Sequence, residues 1–582
     1  MSTTKTRSRA KSFLYAAPAT RAWLLGGTLV AAIALYLHAR WYGFVCDDAY
    51  ISLRYARNFA QHGVLEYNLG ERVEGYTNFL YVLLAGALWK LGLETAGVVT
   101  ALGVVALVLL VGGCAATAWL TSTAGLRRRE PWWLVAPTLL VAASSSVAAW
   151  LFSGLETILF SGFLVVGTAL SARSTSRASA RWMPAVAGAC LGLATLTRPE
   201  GIAYVGLAAA LVALNARGTW KDRGLRAGLL LLGAFVLVGP HLVFRRAYYG
   251  ELVPNTYFLK TSGNRAELAA GGLRYARLAL RSFSPHVLLL WALTLVPVPA
   301  HLPEAVVRRR RVVLWLARVA PAIVVAEAVL SGGDFLGLWR FFAPVVPLVA
   351  LGGALGLWQL VTEVQRRLST RFQEPIARAR LHDISPLAAA LVLALSVLRI
   401  EPTWRVWNDP GSKFPQAYVD ARIEPTHWTG SHGQHWYALG AWIAERARPG
   451  DTMAMGAAGA APFAAGIPNL DILGLCDAYV ARHGDVVGSR PGHQRRAKLS
   501  WVLEKHPTFL FWDDGDYVGP HPLHYEARWA KSDYLWVEAD LQIHGGAVHH
   551  FLLDRTLAES LRGTPHVRVA EIPAGAEPPR AR

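Results

Sequence analysis

The chain has 582 residues, 53% of them hydrophobic and only 17% charged, with a mean hydropathy of +0.30. This composition excludes a disordered chain and an ordinary soluble domain of that size. The formal charge is +19, yet the first 400 residues hold 40 Lys and Arg against 18 Asp and Glu, while the rest holds 18 against 21. The basic excess therefore lies between apolar runs, where it speaks for membrane topology and against a nucleic-acid partner.

In chain order, Lys5, Arg7, Arg9 and Lys11 precede an apolar run over 22–37 that no small-residue cleavage site follows, so the run is expected to remain as a first membrane helix. Eleven segments are predicted to cross a bilayer: 22–38, 97–122, 131–151, 157–172, 183–197, 201–216, 227–244, 284–301, 312–330, 342–361 and 385–400. With one crossing each, the N-terminal basic group falls on one side with Arg127 to Arg129, Arg173/Arg177/Arg181 and Arg217/Lys221/Arg223/Arg226. Arg308 to Arg311 and Arg366/Arg367/Arg371 join them, and that side is read as the cytoplasm.

A further apolar stretch, Tyr76 to Leu93, would invert every later cluster if it crossed, so it is expected to be interfacial or re-entrant. Arg245 and Arg246 land outside, against the rule unless they hold an anion there. The last 180 or so residues change texture. Short β-like pieces at 452–455, 470–473, 508–512 and 551–553 alternate with helix-like ones such as 436–446, which predicts a compact α/β domain. The expected organisation is a basic cytoplasmic N-terminus (1–21), a transmembrane catalytic domain (22–400) with its first outer loop at 39–96, and a periplasmic soluble α/β domain (401–582). The fold class is thus a polytopic α-helical membrane protein of about eleven transmembrane helices with a C-terminal extracytoplasmic α/β domain.

Metal and nucleotide motifs are missing from the sequence. Cys46, Cys114, Cys190 and Cys476 stand far apart, without CxxC, which indicates neither a zinc site nor a disulfide framework. No HExxH occurs, the scattered glycines lack the strand-to-helix setting of a phosphate loop, and His549-His550 reads as a surface pair. Trp404, Trp407, Trp428, Trp436 and Trp442 are dense at the start of the tail and read as anchors or core, with sugar stacking as the sharper option.

On the topology fixed by Lys and Arg alone, the unusual polar residues gather on the outer face. They are Asp47 and Asp48; Arg72 and Glu74; Glu156 in SGLET; Arg198 and Glu200 in TRPEG; Asn255, Tyr257 and Lys260 in PNTYFLK; Asp334 and Arg340 in GGDFLGLWRFF. Ionisable groups next to hydrocarbon are costly and mark functional cavities. Adjacent acids after a membrane helix repel each other and gain nothing from capping it. The chemistry such a set suits is group transfer from a lipid-linked phosphate. One carboxylate takes the proton of an acceptor hydroxyl, and cations among Arg198, Arg245, Arg246, Lys260 and Arg340 hold the leaving phosphate.

The block DDAYISLRYARNFAQHGVLEYNLGERVEGYTNFL (Asp47 to Leu80), with SGLET, LTRPEG, RRAYYGELVPNTYFLK, GGDFLGLWRFFAPVVP and AAPFAAGIPNLDILGLCDAYVARHG, resembles the polyprenyl-phosphate-sugar glycosyltransferases of the GT-C fold. Among them it is most similar to the family of the mycobacterial terminal β-(1→2) arabinofuranosyltransferase. The resemblance runs from about residue 20 to 510.

It implies an inverting glycosyltransferase of the bacterial inner membrane. Such an enzyme moves arabinofuranose or a related sugar from a polyprenyl-phosphate donor to an extracytoplasmic cell-envelope glycan. By matching position, Asp47 or Asp48 is the base, with Asp47 favoured. Arg198, Arg245, Lys260 and Arg340 would serve the donor phosphate, and Glu74, Glu200, Asn255, Tyr257 and Asp334 the sugar and acceptor. No cofactor is firmly implied. Use of a divalent cation, Mg2+ or Mn2+, varies across GT-C enzymes, and the sequence offers no ligand set beyond the acidic pair. The rival reading is a lipid-linked sugar flippase or transporter, which would also carry many helices and buried ionisable groups.

Overall fold

The computed structural model describes residues 18–176, 178–261, 263–283, 286–371, 384–411, 415–421, 423–488, 490–511 and 533–572. The fold is a polytopic helical membrane protein with a sheet-containing C-terminal domain. Among the described residues seven helices are long and apolar enough to cross a membrane: Pro18–Arg40, Thr95–Thr121, Thr157–Ser174, Trp220–Tyr249, Glu304–Ser331, Ala343–Leu368 and Pro386–Asn408. They coincide with seven of the eleven expected spans.

The other four are shorter or broken. Segments 183–197 and 201–216 form 15-residue helices, Met183–Thr197 and Gly201–Asn215, each about 22 Å long at 1.5 Å per residue. Segment 131–151 breaks into a 3-10 turn (Pro131–Leu134) and two seven-residue helices, Ala136–Ala142 and Ser145–Leu151, with Pro137 inside the first turn of one and Ser144 capping the next. Among the described residues of segment 284–301 the helix is His286–Leu293, since the following stretch carries Pro297 and Pro299. Just before it lies an unexpected amphipathic helix, Arg265–Phe283.

The bundle includes α1 (Pro18–Arg40), α2 (Asp47–His62), α3 (Phe79–Lys90), α4 (Glu304–Ser331) and α5 (Val346–Arg371), of which α2 and α4 contribute residues to the site. The stretch expected to be interfacial or re-entrant contains α3, whose twelve residues span about 18 Å, too short for a hydrocarbon core of about 30 Å. It packs on α2, where a Cβ on Gly86 would lie 2.7 Å from the Phe59 ring.

The basic clusters meet at one end of the bundle. Thr20 at the start of α1 donates to the Arg127 carbonyl, Arg309 and Arg310 at the start of α4 donate to the Leu120 and Thr121 carbonyls, and Arg226 reaches the Ser174 carbonyl. The acidic and mixed motifs meet at the other end, where the Cys46 amide donates to the Ser153 carbonyl.

The C-terminal domain caps that second end. A helix, α6 (Thr426–Ala444), precedes a six-stranded mixed sheet in which β1 (Met453–Met455), β2 (Asn469–Asp471), β5 (Phe509–Leu510), β6 (Tyr534–Asp540), β7 (Val548–Asp554) and β8 (Val567–Ala570) run in the order β2-β1-β5-β7-β6-β8. The first three strands are parallel and the last three pairings antiparallel. A two-stranded ribbon, β3 (Asp485–Val486) with β4 (Arg495–Arg496), stands beside it. The short helix α7 (Ala460–Ala465) follows β1.

Domain and bundle are joined by buried hydrogen bonds. Arg54 of α2 donates to the Pro462 and Ile467 carbonyls, Tyr67 to the Ala458 carbonyl, and the Asn255 side chain to the Gly474 and Leu475 carbonyls.

Candidate active site

Between the bundle and the C-terminal domain lies a cavity of about 970 Å³ lined by Asp47, Asp48, Arg198, Glu200, Arg245, Tyr257, Lys260, Asp334 and Arg340. Nine of the eleven residues to which the resemblance assigns a site role thus share one space, although they span almost three hundred positions. Glu74 and Asn255 stand behind its wall. Glu74 is buried against Arg245, with Oε2 2.7 Å from Nε, and Asn255 is spent on the carbonyls of the C-terminal domain.

The twin aspartates begin α2, and successive residues there point in different directions. Asp47 turns toward the C-terminal domain, where its Oδ1 accepts the Ala460 amide at 2.8 Å. Burial pushes its carboxyl up to about 7, against the lowering pull of that amide, with the nearby Asp48 and Glu424 charges adding to the rise. Asp48 turns to the cavity and lies 3.4 Å from an Arg340 nitrogen.

Arg340 is held by a fork. Its Nε and Nη2 donate to the two oxygens of buried Asp334 at 2.9 and 3.0 Å, leaving Nη1 toward Asp48. The loop that brings these two together is conformationally unusual. Gly332 and Gly333 have φ of 85° and 92°, and the non-glycine residues Leu338 and Trp339 also sit at φ 51° and 55°. Backbone in this region costs about 1–3 kcal/mol per residue and persists where the surroundings over-determine it. Here both side chains are buried and the Leu338 carbonyl accepts the Trp150 indole.

Arg198 is engaged by three carboxylates: Glu156 at 3.3 Å, Glu327 at 3.0 Å and Glu200. Three acids around one guanidinium leave little capacity for a phosphate, and Arg245 is likewise paired with Glu74. Lys260 differs. Among the described residues no carboxylate lies within 4 Å of its ammonium, and burial together with Arg340 holds its pKa below the ordinary lysine value. Tyr257 is half exposed at the cavity rim.

The sequence reading missed several contributors. Glu327 was hidden inside an apolar span, where a lone acid is itself the signal. Asn78 donates to Glu156 at 2.8 Å. Trp436, which the sequence offered for sugar stacking, and His549, read there as half of a surface pair but buried, join the cavity wall, to which the C-terminal domain also supplies Glu424, His432, Arg490 and His493. Glu424 pairs with Arg490 at 2.9 Å, and its amide donates to the Phe335 carbonyl. No local pattern marks those residues.

A divalent cation does not suit this donor set. Among the described residues no three His, Cys, Asp or Glu side chains converge to hold a metal ion. Both Asp334 oxygens are taken by Arg340, and Asp48 faces the same guanidinium.

Residues 423–556 match a family described as a domain of unknown function (DUF8728). The chain is 30% identical over 355 residues to the terminal β-(1→2)-arabinofuranosyltransferase of Mycobacterium tuberculosis, covering 54% of this chain. It spans about half, 52%, of that relative's length. Among solved structures it is similar to apo ArnT from Cupriavidus metallidurans, at 14% identity and a TM-score of 0.49 over 93% of this chain and 99% of that one. It is also similar to the apo oligosaccharyltransferase of Archaeoglobus fulgidus, at 13% identity and 0.49 over 91% and 74%. Both scores lie below 0.5, so the chemistry of the site stands on the side chains of this chain.

Proposed function

We propose that the protein is an inverting glycosyltransferase of GT-C type, using a polyprenyl-phosphate sugar as donor and an extracytoplasmic cell-envelope glycan as acceptor. Arabinofuranose is the favoured sugar, on the strength of the relative's name. The observation that carries the reading is the meeting of Asp47, Asp48, Lys260 and Arg340 in one cavity at the end of the bundle that the C-terminal domain caps.

In this reading the acceptor hydroxyl lies against Asp47. Its oxygen attacks the anomeric carbon as its proton passes to the Asp47 carboxylate, and the bond from that carbon to the phosphate oxygen breaks on the opposite face. A base with a pKa near the working pH is efficient at this exchange. The departing prenyl phosphate gains negative charge, which Lys260 and the Nη1 edge of Arg340, shared with Asp48, offset in a site partly closed to water. Asp48 and Asp334 hold the Arg340 fork in place. Arg198 organises Glu156, Glu200 and Glu327, and so shapes the cavity without touching the phosphate.

The cavity end faces the periplasm of a bacterial inner membrane, with the N-terminus in the cytoplasm. Support comes from the Arg127, Arg226, Arg309 and Arg310 groups lying together at the opposite end. The test is to incubate the purified full chain with synthetic polyprenyl-phosphate arabinose and an oligosaccharide acceptor and to follow prenyl phosphate. Acceptor-dependent release supports a transferase. Movement of intact donor between leaflets without release would mark a carrier and sink the reading.

A further inference from the structure

We propose that the helix Arg265–Phe283 lies at the membrane surface and binds the anionic headgroups of phospholipids through Arg274, Arg277 and Arg281. Its two faces are sharply different. Leu268, Gly272, Tyr275, Ala276, Ala279 and Phe283 are buried, whereas all three arginines are exposed. Spacings of three and seven residues put them on one face. Among the described residues none has a carboxylate within 4 Å. Exposed Leu273 and Leu280 flank the row.

The helix sits where the apolar bundle ends. Gly272 crosses α4 so closely that a Cβ would lie 2.0 Å from the Ala328 carbonyl oxygen, three residues from the end of that span, and Gly271 abuts Gly332. Phe283 reaches Phe342 just ahead of α5, with ring centroids 6.1 Å apart. Planar guanidinium groups match phosphodiesters in fork geometry, and short apolar side chains beside them insert at the acyl boundary. Glu267, near the start of the helix, is the one acid on it, against Arg265 and the three named arginines. The face is therefore complementary to a negatively charged leaflet.

The same helix touches the site. The Tyr275 hydroxyl accepts the Phe341 amide at 3.4 Å, and its ring packs on Gly333 and Phe342. A headgroup fixed on the arginine row thus acts one layer away from the Asp334–Arg340 loop.

The experiment uses the full chain in nanodiscs of phosphatidylcholine carrying a trace of photoreactive phosphatidylglycerol, with crosslinks mapped to peptides. Crosslinking to 265–283 should be displaced by unlabelled phosphatidylglycerol and not by phosphatidylcholine. In R274Q/R277Q/R281Q it should be displaced at roughly hundredfold higher competitor, from about fivefold per arginine near the surface. The triple variant changes exposed groups only, so its melting temperature should match the parent. Equal competition by both lipids, or parental competition in the triple variant, overturns the proposal. So does competition by undecaprenyl phosphate alone, which would assign the row to a lipid donor instead.

Discussion

The Asp47 carboxylate and the Ala460 amide, 413 residues apart, are joined by a 2.8 Å hydrogen bond that ties the start of α2 to the C-terminal domain. The residue before Ala460 has to be glycine on steric grounds. A Cβ on Gly459 would lie 2.1 Å from the Asp47 carbonyl oxygen and 2.6 Å from its carboxylate. Gly459→Ala should therefore displace the carboxylate, lower kcat by roughly tenfold or more and move the acidic limb of the pH profile, with little change in donor KM. An unchanged profile would separate the C-terminal domain from the base.

Asp47→Asn should remove transfer by about 10²–10⁴ while the protein still folds, the range for losing a general base. Asp48→Asn should keep measurable turnover and raise donor KM, because it removes the charge that holds the Nη1 edge of Arg340 and leaves the base intact. Initial rates for the two purified variants decide this, and full turnover by Asp47→Asn removes the proposed base.

The pH dependence has a definite sign. Asp47 must be ionised to accept a proton, and burial raises its pKa to about 7. The rate at limiting substrate should fall about tenfold per unit below pH 7 and level off above it. For folding the sign is opposite. A raised carboxyl pKa stabilises the fold at low pH, and that contribution is lost as pH climbs from the ordinary 3.8 through about 7. A rate profile flat from pH 5 to 8 would contradict the assignment.

Lys260 and Arg340 should part company in stability. Arg340→Ala leaves Asp334 buried and unpaired, at a cost of about 3–5 kcal/mol, and should lower the melting temperature markedly. Lys260→Ala breaks no ion pair within 4 Å among the described residues, so it should leave melting unchanged while raising donor KM. Thermal unfolding beside donor titration distinguishes the two.

How far the sequence carried depended on the range of each signal. Hydropathy located the seven long spans because a bilayer demands continuous apolar length. It merged Pro131–Leu134 with the helices after it and stretched His286–Leu293 to 301, because apolar composition does not reveal where a proline or a cap breaks a helix. The helix Arg265–Phe283 escaped because its apolar positions recur every three or four residues and never form a run.

The site residues were legible as polar exceptions at the ends of spans, and the structure brings Asp48 and Arg340 together across 292 positions. The engagement of Arg198 by Glu156 and Glu327 was not legible, since charge pairing over 42 and 129 positions leaves no mark on spacing. Nor was the part played by Ala460, whose contribution is a backbone amide.

The most direct measurement is acceptor-dependent release of prenyl phosphate from a polyprenyl-phosphate sugar by the purified full chain, run beside Asp47→Asn and Lys260→Ala. The account predicts release and a new glycosidic bond in equal amounts with the parent, neither with Asp47→Asn, and recovery of the Lys260→Ala rate at high donor. Release that persists in Asp47→Asn, or a parent that releases nothing across a panel of donor sugars, would contradict it.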